Sequence, residues 1–296
     1  MKVMRTRFWD IGFSISNYIL LSLVTFVCVY PFYYIFIYSI SDPVAASGGL
    51  VFLPKGLNLD NYLRMLKLPN IYSSFGISVM RTVIGTVITV FSCTFFAYLV
   101  TKRELPFRKL IYRFVVITLY LNAGLIPWYL TMKNLGMKNN FLVYVIPGAI
   151  VGFYVILIKT FIESLPAALE ESAMIDGAGY FTIFSKIIFP LSLPIIATIA
   201  VFAAVGQWNT WQDNFFLVSD PKLQTVQMVL YNYLNQVQTI ANMTMQELSR
   251  GEAARKITPQ AVRMTMTMIV TIPILFVYPF LQKYFVKGLM LGAVKG

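Results

Sequence analysis

Long apolar runs, each closed by a short polar connection, dominate the chain. A helix needs about 20 predominantly apolar residues to cross the hydrocarbon core of a bilayer. Six stretches meet that requirement: 17–39, 76–100, 110–132, 141–162, 189–210 and 264–283. The pattern predicts an all-α polytopic membrane protein with six transmembrane helices. The first run is too long for a signal-peptide core, and no small-residue cleavage site precedes the next polar loop. Arg81 lies five residues inside the second run. A charge at mid-bilayer costs about 2.5–3.5 kcal/mol, so the arginine is expected to snorkel toward the outer interface.

An even number of spans puts both termini on one side of the membrane. Topology follows Lys and Arg in short loops near the membrane. The connection TKRELPFRK carries Lys102, Arg103, Arg108 and Lys109, on the same side as Lys2, Arg5, Arg7, Lys159, Lys186, Lys283, Lys287 and Lys295. Both termini are therefore expected in the cytoplasm, and the long loops 40–75 and 211–263 outside.

Composition narrows the chemistry. The chain is 58% hydrophobic and 12% charged, with a mean hydropathy of +0.70. That charge content is half of the roughly 25% in soluble domains. Histidine is absent, and the two cysteines, Cys28 and Cys93, lie in different apolar runs. No common metal or haem ligand set, no Ser-His-Asp triad and no cofactor site is expected. The net charge of +12 is spread over the ends of apolar runs. Scattered in this way it fits contact with anionic membrane lipid, not nucleic acid.

One cytoplasmic segment breaks the pattern. Between Lys159 and Lys186 lie Glu163, Glu170, Glu171 and Asp176. Acidic residues contribute little to topology, so insertion does not demand them. SLPAALEESAMID reads as a short helix opened by proline and closed at Gly177, where glycine suits a left-handed cap. YFTIFSKIIF reads as a second helix running into Pro190, which favours a bend as the chain re-enters the membrane. Such a helix is either a solvated interfacial turn or a docking surface, and composition alone leaves both open.

Spacing decides between them. Glu171, Ala173, Gly177, Ile187 and Pro190 fall on E-x-A-x3-G-x9-I-x2-P. This resembles the EAA loop of ABC importer permeases, with Ser172 in place of the middle alanine and Phe189 in place of a leucine. LNAGLIPWYL, GQWNTWQDNFF and the C-terminal QKYFVKGLMLGAVKG resemble the carbohydrate-uptake branch that contains the maltose-type second permease. Within it they are most similar to permeases for complex or polymeric saccharides. The resemblance implies the type I ABC importer permease fold, with a coupling loop (163–190) that docks on a separate ATPase. It assigns Glu170, Glu171, Ala173, Asp176, Gly177, Ile187 and Pro190 to that loop. Residues 1–74 then hold the first span and an outer loop, 75–283 the permease core, and 284–296 a cytoplasmic tail. Implied partners are a second, non-identical permease, two ATPase subunits, an extracytoplasmic solute-binding protein that docks on the outer loop 211–263, and the sugar. The implied location is a bacterial cytoplasmic membrane. The sequence holds no G-x4-G-K-[ST] phosphate loop, so nucleotide binding falls to a partner.

Candidate pathway residues are Asn122, beside Gly124 and Pro127, and the aromatic–amide cluster Gln207, Trp208, Asn209 and Trp211. Amides inside spans are costly unless they face a polar cavity or another helix. Interfacial anchoring of the tryptophans and helix–helix packing of Asn122 are the competing readings. A secondary transporter is disfavoured because the spans lack a carboxylate relay, and an intramembrane enzyme because paired carboxylates and histidine are missing. A permease for glycerol-phosphate, peptide or phosphate stays open, because a coupling loop is shared while a substrate site is not.

Overall fold

The computed structural model of the chain describes residues 2–46, 49, 52–242 and 259–293, with side chains over 11–46, 49, 52–235, 260–277 and 279. The expected outer-loop segment 243–258 and the side chains of Lys2, Arg5, Arg7, Lys283, Lys287 and Lys295 lie outside that set. Apart from an isolated bridge between Ser41 and Leu57, the described residues form helices and turns. They divide into two compact units, one joining Met1–Leu68 with Asn232–Thr271 and the other joining Pro69–Tyr231 with Ile272–Gly296.

The first unit contains α1 (Lys2–Ser39) and α2 (Asp60–Leu66). From Ile11 to Val29 every residue of α1 is exposed. A helix apolar on all sides with no protein around it belongs in lipid or against another chain. Only its last turns are covered, where Ile37 and Tyr38 pack with Ala46 and Ala261.

The second unit is built around α3 (Ile71–Thr101). After it come α4 (Arg108–Thr118), α5 (Leu125–Asn134), α6 (Gly152–Glu163), α7 (Ala168–Ile175), α8 (Leu193–Asn209), α9 (Gln212–Leu217) and α10 (Val226–Asn242), the last belonging to this unit only as far as Tyr231. The last helix, α11, runs over Pro259–Ala293 and belongs to this unit from Ile272 onward. α3 packs along α8 and α6, and the core lies between them: Cys93, Ala97, Tyr98, Val155, Ile158, Ile183, Phe184 and Ile199.

Three helices are long and apolar enough to cross a membrane by themselves: Ile11–Ser39, Ile71–Thr101 and Gln260–Val277. Two bent pairs raise the number of candidate spans to at most five, so six continuous spans are not what the described residues form. The run 110–132 is broken between α4 and α5. Asn122 Oδ1 accepts from the Gly124 N–H at 2.8 Å, and Gly124 takes φ 82° with ψ 178°. A side chain that captures a backbone donor competes with the helix ladder, and only glycine enters that backbone region at no steric cost. The run 141–162 is a 3-10 turn at Phe141–Tyr144, then irregular chain through Pro147 and Gly148, then α6. Proline lacks the N–H a helix needs and drives its predecessor toward extended backbone.

The re-entry bend also differs from expectation. Pro190 sits inside the helical run Tyr180–Leu191, and the chain turns by 80° at Ser192. Upstream, Phe184–Ile188 widens into a π-turn in which the Phe189 N–H reaches back to the Phe184 carbonyl. The missing proline donor is absorbed by that widening.

Tyr98 tests the core. Its ring is fully buried, and its hydroxyl has no hydrogen-bond partner. A buried hydroxyl without a partner costs about 1–3 kcal/mol. Tyr98→Phe is therefore expected to leave the melting temperature of the detergent-purified protein unchanged or higher. Tyr98→Ala should lower stability by about 3–5 kcal/mol. A clear loss of stability in the phenylalanine variant would show that the hydroxyl is partnered.

Candidate functional site: a docking helix and a polar cavity

The segment expected to dock is compact. α7 follows α6 after a 76° bend and ends at Gly177, whose φ is +79°. The Gly177 N–H bonds the Met174 carbonyl and the Ala178 N–H bonds the Ala173 carbonyl, both at 3.0 Å. These two bonds make a Schellman cap, which satisfies the last carbonyls and fixes the exit of the chain. Ala173 and Ala178 pack against the main core, as does Ile187. Ala173, Gly177 and Ile187 of the motif thus share one mechanical task, which is to seat the helix and set its exit. Nothing lies within 4 Å of where a Gly177 side chain would begin. Only backbone strain selects glycine there.

The carboxylates of this segment divide into two groups. Glu170 turns inward and pairs with Lys102, at 19% and 11% side-chain exposure. Glu163 pairs with Lys159 at 2.6 Å within α6. Glu171 and Asp176 are exposed, as are Leu169, Met174 and Ile175, the last at 87%. Pro190 is exposed as well. The outer face of α7 therefore offers carboxylates around an apolar tip.

The second feature was missed by sequence reasoning. Arg81 does not snorkel: it is 3% exposed and locked in a network. Its two terminal nitrogens meet the Asp213 carboxylate at 3.0 and 2.5 Å, Nη1 also donates to the Thr210 carbonyl, and Nε donates to Gln207 Oε1 at 3.0 Å. The Tyr144 ring lies 4.7 Å from the guanidinium carbon. Burial pushes the Asp213 carboxyl above its ordinary range, against the downward pull of Arg81. Broken on one side, a buried pair of this kind costs about 3–5 kcal/mol. A helix charge that cannot reach water needs such a partner, which is why the expectation of snorkelling fails here.

This network forms one wall of a cavity of about 220 Å³ whose other walls include Trp128, Tyr154, Thr89 and Gln207. Gly85 makes room for Gln207: a Cβ at Gly85 would sit 2.6 Å from its amide carbon and nitrogen. Gln207 Oε1 accepts from Arg81, and the residue lines the cavity.

The other sequence candidates are not gathered here. Trp208 packs edge-on against Phe75 at 5.6 Å and lines a separate apolar crevice. Asn209 accepts from Gln227 at 3.3 Å, and Trp211 stacks on Tyr231 at 4.2 Å. Asn122 serves its own turn and is exposed. The signal for the network was present in α3, where Ser74, Ser78, Arg81, Gly85, Thr89 and Cys93 recur every three or four residues. That spacing places small or polar groups on one helix face.

Comparison with known proteins agrees with this anatomy. Residues 93–291 match the family model of the binding-protein-dependent transport system inner membrane component. Protein LplC of Bacillus subtilis (strain 168) is 36% identical over 287 residues, covering 96% of this chain and 95% of LplC. The polygalacturonan/rhamnogalacturonan transport system permease protein YtcP of the same organism is 35% identical over 285 residues, covering 96% and 98%. Among solved structures, a bacterial ABC transporter involved in the import of the acidic polysaccharide alginate contains a chain that superposes with a TM-score of 0.83. It is 30% identical, with 93% of this chain and 97% of that one covered. The sequence, the capped docking helix and these relatives agree: the chain belongs to the family of binding-protein-dependent transport system inner membrane components, as a permease subunit of an ABC transporter.

Proposed function

We propose that this chain conducts an oligosaccharide or polysaccharide-derived sugar across a bacterial cytoplasmic membrane as one half of an ATP-driven importer. The observation that carries the reading is α7, a rigidly capped helix whose exposed face has carboxylates and an apolar tip but no partner among the described residues. Two ATPase subunits, a second and non-identical permease and an extracytoplasmic solute-binding protein complete the machine. Both termini and α7 lie on the cytoplasmic side, consistent with the basic residues around Lys102 and Arg108. Saccharide as the cargo is supported by the polysaccharide transport named for YtcP and for the alginate importer. The cavity has a suitable lining, with aromatic faces at Trp128 and Tyr154 and an amide donor at Gln207.

ATP binding draws the two ATPase subunits together and moves the docked α7 helices. The permease pair then exchanges inward-open and outward-open states, shifting its population with the nucleotide. The decisive experiment is reconstitution with the co-encoded permease, ATPase and binding protein, followed by uptake of labelled saccharides. Uptake that proceeds without ATPase or ATP would overturn the proposal, and uptake only of peptides or phosphate esters would replace the cargo.

Glu171→Lys is expected to abolish recovery of the ATPase with the purified permease while leaving membrane insertion intact. Gly177→Val should act similarly through strain alone, since a left-handed β-branched residue costs about 1–2 kcal/mol. Gly177→Asn should retain part of the association, because asparagine tolerates that conformation. Equal ATPase recovery with valine, asparagine and the parent would show that the turn does not position the docking face.

In the cavity, Gln207→Leu removes the amide donor and Gly85→Ala displaces it. Both should slow saccharide uptake by about two- to tenfold, the worth of one hydrogen bond, with ATPase recovery unchanged. Unaltered uptake in both variants would take the cavity off the route.

A further inference from the structure

Two neighbouring glutamates on α7 face different partners. Successive residues of a helix are separated by about 100° around its axis, and here that rotation sends Glu171 outward and Glu170 inward. The inward partner, Lys102, is the first residue beyond α3. Its ammonium pairs with the Glu170 carboxylate and lies 4.1 Å from the centroid of the Tyr98 ring. That ring, fully buried, meets Phe184 at 5.4 Å. Phe184 begins the π-turn by which the chain leaves the docking loop. One lysine therefore joins the end of α3 to the helix before the Gly177 turn, while Tyr98 beneath it touches the segment after that turn. A second acid–phenol neighbour pair, Glu104 beside Tyr180, bridges the same two regions.

We infer that Lys102 and Glu170 form the internal transmission contact of this subunit, passing displacement of the docking helix to α3, and that this role is separate from ATPase docking by Glu171. The inference rests on the function proposed above. Both charges are largely withdrawn from water, so the pair is not an exposed ion pair of little worth. The aromatic ring under the ammonium adds a cation–π attraction that keeps Lys102 over Tyr98. α3 then runs without a break from Lys102 back to Arg81, about 30 Å at 1.5 Å per residue. At Arg81 it reaches the network that lines the cavity. A push on α7 is thus delivered to a straight helix whose far part carries the Gln207 wall. Lys102, Tyr98 and Glu170 are positioning residues, because none of them touches ATPase or cargo in this arrangement.

The test uses the assembled complex in proteoliposomes, with saccharide carried per ATP hydrolysed as the readout. Variants are Glu170→Gln, Lys102→Gln and the double exchange Lys102→Glu with Glu170→Lys. Each single variant should keep ATPase recovery at the parental value, with melting temperature equal or lower, while saccharide carried per ATP falls by about fivefold or more, the usual lower bound of coupling between sites. The double exchange should restore at least about half of the parental ratio, as a pairwise interaction requires. An unchanged ratio in both single variants overturns the inference. So does loss of ATPase recovery, which would make Glu170 a docking residue, or a fall in melting temperature with the ratio intact. Failure of the double exchange to recover the ratio overturns it as well. A parental complex that recovers no ATPase overturns the function itself, and that result is distinguishable from all the others.

Discussion

A backbone donor or acceptor left without a partner in hydrocarbon costs several kcal/mol, and this chain breaks its helices repeatedly in its most apolar regions. The polar face of α3 meets the resulting demand. Ser78 Oγ accepts from the Val226 N–H at 2.8 Å. The Arg81 guanidinium donates to the Thr210 carbonyl where α8 ends. Thr89 Oγ1 donates to the Gly148 carbonyl at 2.8 Å, and Cys93 Sγ accepts from the Val151 N–H at 3.3 Å. The chain at Gly148–Val151, at Thr210 and at Val226 is thus hydrogen-bonded by side chains of one helix. The unwound backbone at Pro147–Val151, which forms part of the cavity wall, persists because α3 is beside it.

That dependence explains which parts of the molecule were legible in sequence. The capped helix ending at Gly177 was readable because its logic is local. Glu171, Ala173 and Gly177 lie within seven residues, and the Schellman cap needs only the order of small residues and glycine around them. Pro190 was readable in part, since the chain bends at Ser192, two residues after the proline; Ile187 was singled out by spacing alone, and its packing against the core came only with the fold. Counting apolar residues located α1, α3 and α11, but it started α1 at 17 and ended α11 at 283, where the helices run from Lys2 and on to Ala293. It misjudged 110–132 and 141–162, because hydropathy does not register a glycine at φ +82° or a proline that interrupts a ladder.

The network around Arg81 was illegible for another reason. Its counter-charge lies 132 residues further along, and nothing near Arg81 announces Asp213. Of the aromatic–amide cluster, periodicity gave no means of separating Gln207, which faces the cavity, from Trp208 on the apolar side and Trp211 on Tyr231. Only the packing of α8 on α3 makes that division. Asn214 shows the same limit, since its buried amide oxygen holds Thr225 and shapes the chain between α9 and α10.

The separation of Arg81 from Asp213 bears on how the protein is made. Synthesis proceeds at about 5–20 residues per second, so the arginine is delivered to the membrane roughly 7 to 26 seconds before its counter-ion exists. During that interval α3 must be held by its apolar residues, with an uncompensated guanidinium in the third turn from its N-terminal end. The ion pair cannot guide the helix into the bilayer. It closes only after α8 and α9 have been made, and in closing it locks an arrangement that the rest of the chain has already reached.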